Sequence, residues 1–222
     1  MVLTRKSVLL TIAAVAMVFW AGCRSVEKTI DCNAVPDEVF GQHYTAADFK
    51  IYRVDRESTA EMLIAAADSS EFSGRDAHNF TLVPVLIDDT ARVGAAVRAM
   101  CAERGGLRAL WSCPSEKDSI EVAYLYVVDE PALIDGTAVE KATAGKTKWG
   151  GVEVAFVFEQ EKHETWHQIT ADNIGNYLAL CLGDRVLSAP MVIGEITQGR
   201  CSVAGYFSDE ECCALAAVLQ RR

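Results

Sequence analysis

The sequence predicts an α+β fold: an antiparallel or mixed sheet with packed helices in the C-terminal part, preceded by a smaller α/β region. Three observations carry the prediction. The last ninety residues run strand, helix, two hairpin signals and a closing amphipathic helix, the order expected of a sheet covered by helices. Upstream, strand-like runs alternate with two helical periodicities. The 222 residues are 50% hydrophobic, 23% charged and 8% aromatic, which suits one or two compact domains and excludes a disordered tail, a collagen-like repeat and a polytopic membrane protein.

Residues 23–47 lack strong periodicity, contain Pro36 among Ser, Thr, Asp and Asn, and read as a tether. The N-terminal α/β region is expected over 48–128. Phe49 to Val54 alternates like a half-buried strand, and Ser58 with Glu61 forms a capping box for a helix over Thr59 to Ala67. Phe80 to Ile87 is a strand demoted to a sheet edge by Pro84, which cannot donate to a ladder. Val93, Val97, Met100 and Cys101 recur at helical spacing over 89–104, and Gly105-Gly106 stops that helix. Leu107 to Trp111 and Ile120 to Val128 are two further strands.

In the C-terminal domain, expected over 129–222, Val152 to Phe158 is a strand and 160–174 a helix ending near Gly175, a residue suited to the left-handed cap position. Leu178 to Leu182 and Arg185 to Ser188 flank Gly183-Asp184 as a tight hairpin. Met191 to Thr197 and Cys201 to Gly205 form a second hairpin around Gly199. Ser208 with Glu211 caps the last helix, whose apolar face is Cys212, Leu215, Ala216 and Leu219.

Arg5 and Lys6 precede an apolar stretch from Ser7 to Trp20, an export-signal pattern over residues 1–22. Ala21-Gly22-Cys23 follows it and resembles the lipobox of bacterial lipoproteins, with Trp20 where that pattern prefers Leu. The resemblance implies a palmitate-bearing lipid anchor on Cys23, with the chain facing the periplasm or exterior of a bacterial envelope. The apolar run falls short of the ~20 residues of a membrane span. Net charge is -10, and removing the leader takes away two cations and no anions. Such an acidic chain repels phosphate backbones, so no nucleic acid is expected as a partner. Eight cysteines leave seven once Cys23 carries lipid, so at least one thiol stays free or pairs between molecules. No Cys-x-x-Cys occurs, which argues against a thioredoxin-like site or a zinc ribbon.

The C-terminal block carries, in order, Ile169-Thr170, Asn173-Ile174-Gly175, Leu178-Ala179, Val186-Leu187-Ser188-Ala189-Pro190, Ile196-Thr197, Gly199, Gly205, Phe207 and Glu210-Glu211, followed by Leu215 and Leu219. In these residues and their spacing it resembles the head of the first periplasmic domain of SecD, in the SecD/SecF protein-export family. Tyr126 to Ala142 resembles the segment leading into that head, where a turn precedes a short helix. The likeness covers residues 125–221. Asn173, Gly175, Ser188, Ala189, Pro190, Gly199, Gly205 and Phe207 are then structural motif positions. Gly183-Asp184 reverses the Asp-Gly turn usual in the family, and the family's transmembrane bundle with its proton-coupling carboxylate and arginine has no counterpart. The resemblance therefore implies binding without chemistry.

Residues 163–167 spell HETWH, in which two His at i and i+4 share a helix face and the Glu beside the first polarises zinc-bound water. A zinc metallopeptidase using His163, Glu164 and His167 is the alternative to a noncatalytic reading. A third ligand is missing from the following residues, the nearest candidate, Glu195, falls in an expected strand, and the other histidines, His43 and His78, lie outside the head-like block. In the structural reading Trp166 and Ile169 face the sheet, His163 and Glu164 are solvated, and His167 borders the buried face. No nucleophile elbow or phosphate loop occurs. Asp88-Asp89 and Glu210-Glu211 read as helix-start residues favoured by the macrodipole. The expectation is a noncatalytic module without cofactor that binds a protein or polypeptide partner.

Overall fold

The computed structural model describes residues 28–32, 38–66, 84–117, 120–147, 150–205 and 207–221. The leader and Cys23 lie outside these residues, as do His78 and the first part of the strand expected from Phe80. The elements in chain order are β1 (Lys28–Thr29), β2 (Phe49–Arg53), α1 (Arg56–Ala66), β3 (Pro84–Leu86), α2 (Thr90–Arg104), β4 (Leu107–Ser112), β5 (Ser115–Lys117), β6 (Ile120–Asp129), β7 (Ile134–Asp135), β8 (Val139–Lys146), β9 (Val152–Phe158), α3 (His163–Asp172), β10 (Leu178–Leu182), β11 (Arg185–Ser188), β12 (Arg200–Gly205) and α4 (Asp209–Gln220). The fold is α+β, with mixed sheets and helices packed on them.

One antiparallel sheet has the order β1-β8-β9-β12. The other has the order β3-β6-β4-β11-β10-β2-β7, with β5 on β6 and a parallel pairing only between β4 and β11. This larger sheet curls until its strands meet. Val54 bridges Val128, and the Asp55 N–H donates to the Val127 carbonyl at 2.9 Å. The strands β2, β10, β11, β4 and β6 therefore form a closed ring of paired neighbours.

Closure explains a separate cluster of buried side chains. Tyr52, Val54, Leu110, Tyr126, Val128, Ala179, Cys181 and Val186 fill the inside of the ring. Burial there pushes the Tyr126 hydroxyl and the Cys181 thiol well above their ordinary pKa values. Strand alternation sends the neighbours of these residues outward. Leu125 and Val127 of β6 pack under α1 and α2 with Met62, Leu63, Val93, Val97 and Cys101. Phe49 and Ile51 of β2, with Leu178, Leu180 and Leu182 of β10, face the largest core cluster, which the four-stranded sheet and Trp166, Ile169 and the buried face of α4 complete. Every residue of the run LALCL in β10 is consequently buried.

Four expectations are corrected. The tether expected over 23–47 is seated on the fold where it is described. Lys28–Thr29 pairs with β8, Cys32 is disulfide-bonded to Cys213, and Val39 and Ala46 are buried. The boundary expected at 128/129 is crossed by hydrogen bonds, because β2 lies between β10 and β7. The second hairpin is absent: Met191 and Val192 make single bridges, and β12 pairs along β9 instead, where its six residues add a full strand to the sheet. Finally, the short helix expected after the turn near Gly136 is one 3-10 turn, Gly136–Ala138, followed by strand β8.

Helix α1 starts earlier than expected, because the Asp55 carboxylate accepts from the Ser58 N–H at 2.9 Å and does the capping assigned to Ser58. The other assignments agree closely. Pro84 lies in an edge strand, Gly183-Asp184 turns the β10–β11 hairpin, and Ser208 with Glu211 forms the capping box of α4. Among the described residues no helix is long and apolar enough to cross a membrane. Among the described residues Cys101, Cys113, Cys181, Cys201 and Cys212 lie outside the disulfide, and all but Cys113 are buried.

Candidate functional site

Helix α3 carries the HETWH motif, and its stripe His163, Trp166, His167 and Thr170 follows the i, i+3, i+4, i+7 spacing of one face. Each side chain of the stripe holds part of segment 195–200. The ring of His163 lies under Gly199, and its Nε2 sits 3.0 Å from the Phe158 carbonyl oxygen. A carbonyl only accepts, so this nitrogen carries the proton. Trp166, fully buried, donates from Nε1 to the Arg200 carbonyl at 3.1 Å and meets the Phe158 ring in a tilted contact with centroids 5.0 Å apart. His167 Nε2 lies 3.0 Å from Glu195 Oε2, and Thr170 Oγ1 accepts from the Ile196 N–H at 2.9 Å.

These contacts define what HETWH does locally: it straps an irregular segment onto a helix. His163, expected to be solvated, is half-buried, whereas Glu164 is exposed and Trp166 and Ile169 face the core as expected. Glu195 lies in this strap and not in a strand. Its hydrogen bond to His167, helped by the charges of Glu195 and Glu164, raises the imidazole pKa above its ordinary value. Each imidazole is thus engaged away from the other, and His43 pairs with Glu38 at 3.3 Å. Among the described residues no group of three or more His, Cys, Asp or Glu could hold a metal ion.

The motif positions of the head-like block gather around this strap and the strand ends beside it. Asn173 ends α3 in the core. Its Nδ2 donates to the Ile169 carbonyl at 2.8 Å, and its Oδ1 is buried without a partner. Gly175 takes the left-handed conformation at φ +83. Ser188 ends β11 opposite Leu180, Ala189 packs at the edge of the ring interior, and the Pro190 carbonyl accepts from the Leu178 N–H at 3.0 Å. Gly199, at φ +62, has no room for a Cβ beside the His163 ring. Gly205 ends β12 against the ring of Phe207, which in turn packs 6.2 Å from Phe40.

One feature of this end of the molecule escapes a reading of the sequence. Ile174 and Ile193 are both exposed, on neighbouring backbone joined by the Gly175 N–H to Val192 carbonyl bond at 2.7 Å and the Ile174–Val192 bridge. Each isoleucine precedes a glycine in a turn, Gly175 and Gly194. That pattern is the only sign of an apolar tip raised by tight backbone.

Residues 113–221 match the family described as SecDF, P1 head subdomain. The protein translocase subunit SecD of Leptotrichia buccalis is 34% identical over 90 residues, which cover 40% of this chain and 22% of that protein. The SecD subunit of Endomicrobium trichonymphae is 37% identical over 100 residues, 43% of this chain and 20% of its own length. A crystal structure of SecDF in its super-membrane-facing form aligns with 78% of this chain and 18% of its own, at 21% identity and a TM-score of 0.45. The chain spans about a fifth of the length of the SecD relatives it matches. The matched region begins at Cys113, ahead of the 125 expected, and so takes in β5 and the whole of β6. Residues 113–221 therefore resemble the P1 head of SecD.

Proposed function

We propose that the protein is a lipid-anchored lipoprotein of the bacterial envelope whose head-like module binds extended polypeptide or protein partners in protein export, without catalysis. The observation that carries the reading is the match of residues 113–221 to the SecDF P1 head subdomain. Two further features support it. The apolar tip of Ile174 and Ile193 is open to contact, and exposed large apolar groups on adjacent turns suit recognition of apolar segments. The two imidazoles of HETWH are committed to the strap, which leaves Glu164 without a metal-bound water to act on. The lipid anchor rests on Ala21-Gly22-Cys23 and its basic, apolar leader.

A photo-crosslinking residue placed at Ile174 or Ile193 in cells tests the binding role. Adducts with exported polypeptides in transit are the expected result, and their absence from both positions, with the protein at normal abundance, overturns it. Cys23→Ser should release the protein from the membrane fraction. An unmodified Cys23 in the mass spectrum of the mature protein overturns the anchor.

A further inference from the structure

The segment Lys28–Cys32 is held to the fold in an unequal way. Lys28 and Thr29 pair with Lys146 and Gly145, and the Ile30 N–H donates to the Ala144 carbonyl at 3.1 Å. Both residues of β1 are exposed, so the strand buries little apolar surface. Lys28 also stands opposite Lys146, a like-charge pairing that disfavours the strand and that Asp209, 2.8 Å from Lys146, only partly offsets. Ile30 and Cys32 pack at the margin of the largest core cluster, and the covalent bond from Cys32 to Cys213, 181 residues away near the start of α4, fastens that contact.

We propose that the Cys32–Cys213 bond acts as a leash stop, fixing how far the domain stands from the lipid surface and presenting the β8 edge and the start of α4 to it. The proposal rests on Cys23 as the lipid-bearing residue. Lys28 is five positions and Cys32 nine positions beyond Cys23, so the chain reaches at most ~18 Å to the strand and ~32 Å to the bond. Without the bond and the weak strand, the next described residue buried in the fold is Val39, and sixteen positions from Cys23 reach ~58 Å. A chain this short before the bond also limits rotation, because it leaves the domain beside the same edge of the small sheet. The partner of this face is thus the membrane that holds the anchor.

Lipidated full-length protein in phosphatidylethanolamine and phosphatidylglycerol vesicles tests the leash. A donor dye is carried by an unnatural residue at exposed Glu140 on β8, and acceptor dyes are carried by lipid headgroups. A Gly-Ser insert of about twelve residues between 27 and 28 should lower energy transfer by about half, since a flexible linker of that length adds roughly 20 Å of mean separation. The same insert between 34 and 35 should leave transfer unchanged, because the bond bypasses it. In the C32S/C213S variant the second insert should lower transfer as well. If the insert between 34 and 35 lowers transfer in the disulfide-bonded protein as much as the first insert does, the leash is overturned while the anchor stands. If the unaltered protein fails to float with the vesicles, the anchor itself is wrong and the leash falls with it. Both insertion variants keep the bond, so the comparison does not depend on the double serine variant folding.

Discussion

His163 and Gly199 compete for one space, and their fit sets how the strap sits on α3. A methyl group at 199 meets the imidazole and also faces a backbone at φ +62, a conformation that disfavours any Cβ by roughly 1–2 kcal/mol. Gly199→Ala should therefore destabilise the protein, and by less in a His163→Ala background, where only the backbone strain remains. Equal losses in both backgrounds, measured by urea unfolding, would mean that the ring is not the obstacle. Trp166→Ala should cost about 3–5 kcal/mol, since a fully buried indole leaves a cavity and unpairs the Arg200 carbonyl.

The His167–Glu195 pair gives the strap a pH dependence with a definite sign. The folded-state pKa is raised, so the stabilisation is complete below the ordinary value of ~6.5 and is lost as pH rises through the folded value. After correction for intrinsic exchange, hydrogen exchange over 195–198 should quicken as pH rises above that range, and Glu195→Gln should remove the trend. A pH-independent strap in the unaltered protein would refute the assignment. Metal analysis of the purified chain should find no stoichiometric zinc. One zinc per chain, with hydrolysis abolished by Glu164→Gln, would reinstate the peptidase reading.

At the scale of elements, legibility followed burial pattern and turn chemistry. The run VEVAFVF alternates cleanly because one face meets the core and the other is half-open, and its bounds match β9 to the residue. Strand β8 was missed for the opposite reason. Its sequence VEKATAGK is poor in β-branched and aromatic residues, and pairing with β9 together with cover from α4 overrides that local preference. The hairpin expected after β11 failed because Met191 to Thr197 are drawn onto α3 and the strand ends by long-range contacts that no local pattern encodes. The Cys32–Cys213 bond could not be chosen among eight cysteines from spacing alone. Replacing both by serine should cost about 2–5 kcal/mol, with a larger loss of protection in β1 than in α4. Cys212, beside the bond, should react slowly with alkylating reagents in the folded protein, because burial pushes its thiol up to about 11. Rapid labelling at neutral pH would contradict that burial.

At the scale of the whole molecule, the head-like residues do not make a complete body. β10 needs β2 on one side, and β11 needs β4 beyond it, so the strands on both flanks of this hairpin come from before residue 113. Excised 132–221 and excised 113–221 should lack cooperative thermal unfolding, while 28–221 should show it. A sharp transition in either short fragment would mean that the ring is dispensable to the head.

For the proposed export across a membrane N-terminus first, the ring also sets an order of events. Strands β2, β4 and β6 emerge early, and the hairpin that joins β2 to β4 arrives only with residues 178–188. Until then two strand edges lie open and the Tyr52 and Tyr126 side chains face water. The nascent domain therefore spends most of its emergence as a sticky intermediate, and its final step is the insertion of one small hairpin that removes those edges at once.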